Sequence, residues 1–332
     1  MLRHHKYTHK HPYINALARI FMDRAGIGYW PAIGGVHRLA ACHFANRGET
    51  MPDIAQLHAA QVAYWNGAGG ERWLAQRDRR EKTRPAFADA LITRAAAALG
   101  ETVLDIGCGL GDTSVALAEA VGPNGKVTAL DVSARLLEVA RERLVPYPWA
   151  EAMLADAATH DFPPGSVDLL FSRFGVMFFG DPVAAFANLR RALKPTGRLV
   201  FACWHKNMAM TAIEAVYDHL PDLPRQDPDA PGPLAFARAE RLTAILAAAG
   251  FGKPELDCVA LTIDAAAGEG LDAAVAQTLQ TGPAQRLLGG QTDAVKAEAA
   301  VAVRKALAPY QDGGTVNLPA AFWIVSAAHA PG

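Results

Sequence analysis

In the stretch VLDIGCGLGDTS, residues 103–114, an acid, Asp105, precedes three alternating glycines, Gly107, Gly109 and Gly111. A second acid, Asp131, closes the next apolar run, KVTALDVS. Glycines in a turn remove the Cβ atoms that would hold a ligand away from the main chain. A carboxylate at the end of the neighbouring run can accept hydrogen bonds from two vicinal hydroxyls, the pattern of a ribose. Together they imply a nucleoside.

The elements that must position these residues are legible from periodicity. Thr102 to Ile106 is mainly apolar and β-favouring, which suits a strand buried on both faces of a parallel sheet. Val115, Leu117, Ala118 and Val121 are spaced for a helix face, with Asp112, Thr113 or Ser114 available to cap its start. GPNG then breaks the chain before the second strand, giving a β–α–β unit with its glycine turn beside a helix N-terminus. A dinucleotide site reads GxGxxG and seats a pyrophosphate on that terminus. Here the spacing is GxGxG, and Asp105 would oppose a pyrophosphate while suiting a ligand with a cationic end, such as the sulfonium and ammonium of S-adenosylmethionine.

The acid, the glycine triplet and Asp131, in this order, resemble the class I S-adenosylmethionine-dependent methyltransferases. That resemblance covers about Thr102 to Trp204 and implies an α/β, doubly wound, Rossmann-like sheet of seven strands in the order 3-2-1-4-5-7-6, the last two antiparallel. It implies that Asp156 and Ala157, after the third strand, meet the adenine, and that Ser172 and Arg173, after a strand at Val167–Ser172, face the methionine end with Asp105. It also brings Cys108 and Val132 into the cofactor-binding set. DPVAAFANLRRALKPTGRLVFACW reads as a helix, a Pro–Thr–Gly turn and a fifth strand. YWNGAGGERW at 64–73, the stretch at 227–251 and LPAAFWIVSA near the end look like a bacterial subgroup grouped with the ubiquinone/menaquinone C-methyltransferases, in which an N-terminal helix closes over the cofactor. Tyr64, Trp65 and Trp73 would then cover the adenosine or the substrate, or simply pack helices. Residues 51–100 are expected to be helical and 101–332 to form the main domain, with a helical insertion at about 268–308 capping the pocket.

Methyl transfer from a sulfonium is an in-line displacement governed by alignment, so a dedicated base is not required. Candidates for proton removal are His205 and Tyr64, with His160 and Asp161 behind them. Each also reads as a surface or packing residue, Asp105 as a cap of its own turn, and Cys108 as a small apolar filler. SRFG after the fourth strand lacks the Asn/Asp-Pro-Pro-Tyr/Phe pattern that resembles amino methyltransferases acting on bases or glutamine. The cysteines Cys42, Cys108, Cys203 and Cys258 are scattered, without zinc or disulfide spacing and with no support for thiol-based arsenic methylation. No metal is expected.

Composition points the same way. A formal charge of −1 gives no reason to expect nucleic acid, and no stretch has the length of a membrane span, so a cytoplasmic protein with a small-molecule partner is expected, a homodimer being compatible. Residues 1–50 differ: Arg3, Lys6, Lys10, Arg19, Arg24, Arg38 and Arg47 face only Asp23 and Glu49, and His4, His5, His9 and His11 cluster without an acidic or Cys partner. A basic, poorly ordered extension is expected there, with Met51 an alternative start. Three rival functions stay open at this stage: a quinone-precursor C-methyltransferase, a non-catalytic S-adenosylmethionine-binding sensor or scaffold, and a nicotinamide-dependent oxidoreductase, which shares the β–α–β unit.

Overall fold

The computed structural model describes residues 54–77, 85–206, 208–220, 222–223, 227–280 and 282–329. The expectations for residues 1–50 lie outside them. The chain opens with helices α1 (Ile54–Asn66), α2 (Ala68–Ala75) and α3 (Pro85–Ala95). The alternating core follows as β1 (Thr102–Ile106), α4 (Asp112–Val121), β2 (Lys126–Asp131), α5 (Ala134–Leu144), β3 (Ala150–Leu154), β4 (Val167–Arg173), α6 (Pro182–Ala192) and β5 (Leu193–Lys206). The remainder is α7 (Met208–His219), α8 (Ala239–Ala248), β6 (Glu255–Asp264), α9 (Gly270–Leu279), α10 (Gly282–Leu288), α11 (Asp293–Leu307), β7 (Gln311–Asp312) and β8 (Thr315–Ala328).

The sheet runs β3-β2-β1-β4-β5-β8-β6, and the two-residue β7 pairs only with β8. That is the expected order, with the last strand renumbered by the short hairpin. β1 to β5 are mutually parallel, β8 is antiparallel to β5, and β6 is antiparallel to β8. Successive residues of β4 show why the sheet needs cover on both faces. Leu169 and Phe171 pack with Leu91 of α3 and Leu117 and Val121 of α4, whereas Leu170 packs with Phe186 and Leu189 of α6 and Leu242 and Leu246 of α8. A two-sided apolar strand is stable only between two helical layers.

Three local expectations are corrected. Gly111, with φ +82°, is the N-cap of α4, while the hydroxyls of Thr113 and Ser114 turn inward to Asp105. The Pro–Thr–Gly segment is absorbed as an irregularity within β5, because the register with β4 jumps from Val167↔Leu193 to Leu169↔Arg198. Third, α9, α10 and α11 stand where the helical insertion is expected, but none of their described residues lines the pocket described below, Gln285 of α10 reaching only Arg72 of α2 beside it. Their apolar faces close on one another, on α7 and on Val316 and Leu318 of β8, making a second core of their own. Among the described residues no helix is long and apolar enough to cross a membrane.

Candidate functional site

The carboxyl ends of β3, β2, β1 and β4 lie side by side, and an open cleft of about 760 Å³, mouth included, runs over them. Strands about 4.8 Å apart make this row of four roughly 14 Å long. Along it stand Asp156 beyond β3, Asp131 and Val132 at the end of β2, Gly107 and Gly109 beyond β1, and Arg173 at the end of β4. A helix lies across the row. α1 contributes His58, Gln61, Val62 and Trp65, spaced i, i+3, i+4 and i+7 on one face.

The glycines answer to different neighbours. Gly107, at φ +67°, would place a Cβ 2.9 Å from the Cα of Gly175, so it permits the β1 and β4 turns to touch. Gly109, at φ +57°, faces the cleft, with the indole nitrogen of Trp73 3.5 Å from where its Cβ would stand. Gly111 instead lets α4 close on Ala140 of α5 at 3.1 Å and does not line the cleft.

Four of the turn's N–H groups are committed to protein acceptors. Those of Gly107 and Cys108 donate to the Leu130 carbonyl, that of Gly111 to the Cys108 carbonyl, and that of Gly109 to Asp131 Oδ2 at 2.9 Å. Asp131 Oδ1 accepts from the Ser133 N–H at 2.9 Å. Each Asp131 oxygen therefore keeps a lone pair. Burial raises its pKa, opposed by the backbone hydrogen bonds. Such a turn is a poor anion seat and a good frame for an acceptor-only carboxylate.

Arg173 lines the cleft and donates to Asp112 Oδ2 at 3.0 Å; burial lowers its pKa. Next to it Phe174 has φ +62°, a left-handed conformation costly for a bulky residue. Its ring stacks on Trp204 at 4.7 Å while lining the cleft. Phe178 and Trp73 both meet Trp65 edge to face, at 5.0 and 5.8 Å, so the wall is aromatic from both sides.

Of the residues singled out in the sequence, Gly107, Gly109, Asp131, Val132, Asp156, Ala157, Arg173, Trp65 and Trp73 line the cleft. The others do not. Asp105 is fully buried beneath the turn, accepting from Thr113 at 2.9 Å and Ser114 at 2.6 Å, and burial pushes its pKa up to about 6. Cys108 packs with Leu137 and Ala140, and burial holds its thiol well above the usual range. Ser172, also buried, donates to the Ile106 carbonyl at 2.7 Å and accepts from Gly175, which ties the two turns together.

His205 and Tyr64, the candidates for proton removal, stand outside the cleft lining. His205 is exposed, beside the Ala237 carbonyl at 3.2 Å and the Trp323 ring. Tyr64 receives a hydrogen bond from Arg72 and packs over Gly69, because a residue adjacent to Trp65 on a helix points about 100° away from it. His160 packs edge to face on Phe162, and Asp161 pairs with Arg191 at the surface. His58, Gln61, Val62, Phe174, Gly175, Phe178 and Phe179 were not singled out by the sequence. Among the described residues no cluster suits a metal ion.

Residues 103–197 match a family described as a methyltransferase domain. The chain is 38% identical over 127 residues to an uncharacterized 37.1 kDa protein in transposon TN4556 of Streptomyces fradiae, covering 38% of this chain and 36% of that one. It is 36% identical over 101 residues to the demethylmenaquinone methyltransferase of Lysinibacillus sphaericus, covering 30% and 43%. The match thus spans under half the length of these curated relatives. The solved YcgJ protein of Bacillus subtilis superposes with a TM-score of 0.51 at 16% identity, over 74% of this chain and 98% of that one, a likeness of fold.

Proposed function

We propose that this chain, whose residues 103–197 match a methyltransferase domain and whose sheet runs β3-β2-β1-β4-β5-β8-β6, is an enzyme transferring a methyl group from S-adenosylmethionine to a small molecule. The observation that carries the reading is the order of groups along the strand ends. Asp156 and Ala157 would meet the base, Asp131 the ribose hydroxyls, Gly107 and Gly109 the sugar-to-sulfur link, and Arg173 the carboxylate of the amino-acid end. The fit is chemical as well as positional: Asp131 has one free lone pair on each oxygen for two vicinal hydroxyls. The same bonds count against a pyrophosphate, since the N–H groups of Gly107, Cys108, Gly109 and Gly111 are already spent on protein acceptors.

Bound there, S-adenosylmethionine supplies a methyl group on a cationic sulfur, and the product is S-adenosylhomocysteine. The residues of this chain hold the donor straight, while Trp65, Trp73, Phe174 and Phe178 exclude water and present aromatic faces to a cation and to an apolar acceptor. Arg173 is the ionisable side chain that the described residues bring to the β4 end of the cleft, so alignment, rather than proton removal by this chain, would carry the step. A quinone-precursor ring as acceptor is a finer reading, supported by the aromatic lining and by the name of the Lysinibacillus relative.

The test is transfer of label from methyl-tritiated S-adenosylmethionine to a panel of naphthols, phenols and amines and to a small-molecule metabolite extract. Labelled product with matching S-adenosylhomocysteine is expected. Tight binding with no turnover on any of these would favour the sensor or scaffold reading.

A further inference from the structure

His58 is joined to Asp156 through Nε2 and Oδ2, and both side chains are only about a quarter exposed, 25% and 24%. The other oxygen, Asp156 Oδ1, accepts from the Ala158 N–H at 2.9 Å. The loop behind is pinned by Asn188, which donates to the carbonyls of Ala157 and His160. The carboxylate is thus fixed from two sides, with one lone pair left on each oxygen.

His58 is itself fixed. A Cβ on Gly180 would stand 2.8 Å from the His58 Cβ and 3.0 Å from its Cα, so the glycine after Phe179 lets the backbone of α1 settle at this point. One turn-pair further on, Asn66 donates to the Val132 carbonyl at 2.8 Å. α1 is therefore tied down at both ends of the cleft face it covers. His58 meets Asp156, beyond β3, whereas Arg173 stands at the end of β4, three strands along the row.

We propose that His58 is a specificity-determining positioning residue, which holds Asp156 as a fixed acceptor so that the cleft selects a purine bearing a 6-amino donor over one bearing a 6-oxo acceptor. The inference rests on the nucleoside reading of the cleft. A 6-oxo purine puts a carbonyl where the 6-amino donor would stand and moves its donor to N1–H, so a carboxylate held in place meets an acceptor unless the base shifts, and both oxygens lose water on binding. Without His58 the carboxylate gains freedom to turn, so it holds the 6-amino group less well and can reach the N1–H of a 6-oxo base.

The experiment is isothermal titration calorimetry of the full chain with S-adenosylhomocysteine and S-inosylhomocysteine. The wild type is expected to prefer the adenosyl compound by about tenfold or more, the worth of one hydrogen bond to a charged group plus the avoided clash. His58→Ala should lower the preference severalfold, chiefly by weakening the adenosyl compound, and His58→Gln, whose amide nitrogen can stand in for Nε2, should restore it. Gly180→Ala, which pushes on the His58 backbone and alters neither partner, should reproduce the alanine result and guards against misfolding of a single variant. An unchanged preference in both His58→Ala and Gly180→Ala would overturn the inference, as would equal affinity of the wild type for the two compounds. Failure of the wild type to bind either would instead remove the nucleoside reading, and the inference with it.

Discussion

Asp131 and Asp105 are two buried carboxylates on the paired strands β2 and β1, and they make opposite predictions. Asp131 lines the cleft with a free lone pair on each oxygen, so Asp131→Ala should weaken S-adenosylhomocysteine binding by about 1–3 kcal/mol, measured by calorimetry. Asp105 lies under the turn and should show itself in stability. Its folded pKa near 6 exceeds the ordinary value, so the native state keeps a proton that the unfolded chain releases over about pH 4–6. The contribution to stability is full below about pH 4 and is lost as pH rises through about 6. Asp105→Asn still accepts from Thr113 and Ser114 but carries no charge. Urea denaturation from pH 4 to 7 should show the wild type losing roughly 2–3 kcal/mol relative to this variant, and parallel profiles would contradict the assignment. Both acids were legible in the sequence because each ends or nearly ends an apolar run. Which of them faces the cleft was not, since that depends on the pleat and on what α4 presents beneath the turn.

Elements show where local pattern stops. The strands β1 and β2 and the helix α4 follow from periodicity because their partners are adjacent in the chain. The three glycines look alike in sequence and differ only by what approaches from elsewhere: Gly175 from the β4 turn, Trp73 from α2 and Ala140 from α5. Gly111→Ala should therefore cost about 1–3 kcal/mol of stability in urea denaturation, from the left-handed backbone and the close contact with Ala140, while S-adenosylhomocysteine affinity per folded molecule changes little. Gly109→Ala should show the larger loss of affinity, since its new methyl group enters the cleft beside Trp73. The cleft-facing side of α1 was within reach of the sequence: with Trp65 as anchor, the i−3, i−4 and i−7 positions are Val62, Gln61 and His58. Tyr64, one residue away, has a titratable side chain but stands on another face.

At the scale of the molecule, the sheet carries two functions of burial that the sequence did not separate. The core between the sheet and its two helical layers holds the row of strand ends, whereas the insertion builds a second core with α7 and the start of β8. The Ala-rich spacing of residues 271–307 announced helices but not the face they would choose, because any apolar stripe can close on a ligand or on another helix. Leu307, fully buried in that second core, provides the check. Leu307→Ala should destabilise the chain by about 2–5 kcal/mol in urea, yet leave S-adenosylhomocysteine affinity within about a factor of two at low denaturant, because the described residues of the insertion contribute nothing to the cleft lining. A parallel loss of affinity would return the insertion to the pocket.

The claim on which the rest depends is that the strand-end row receives an S-adenosyl nucleoside. Its most direct measurement is calorimetry of the purified chain with S-adenosylmethionine, S-adenosylhomocysteine and NADH under one set of conditions. Micromolar binding of the first two and none of NADH is the expected result, on the order of −8 kcal/mol for each S-adenosyl compound. Binding of NADH alone would contradict the account, because the glycine turn would then have to offer a pyrophosphate the donors it now gives to Leu130, Cys108 and Asp131.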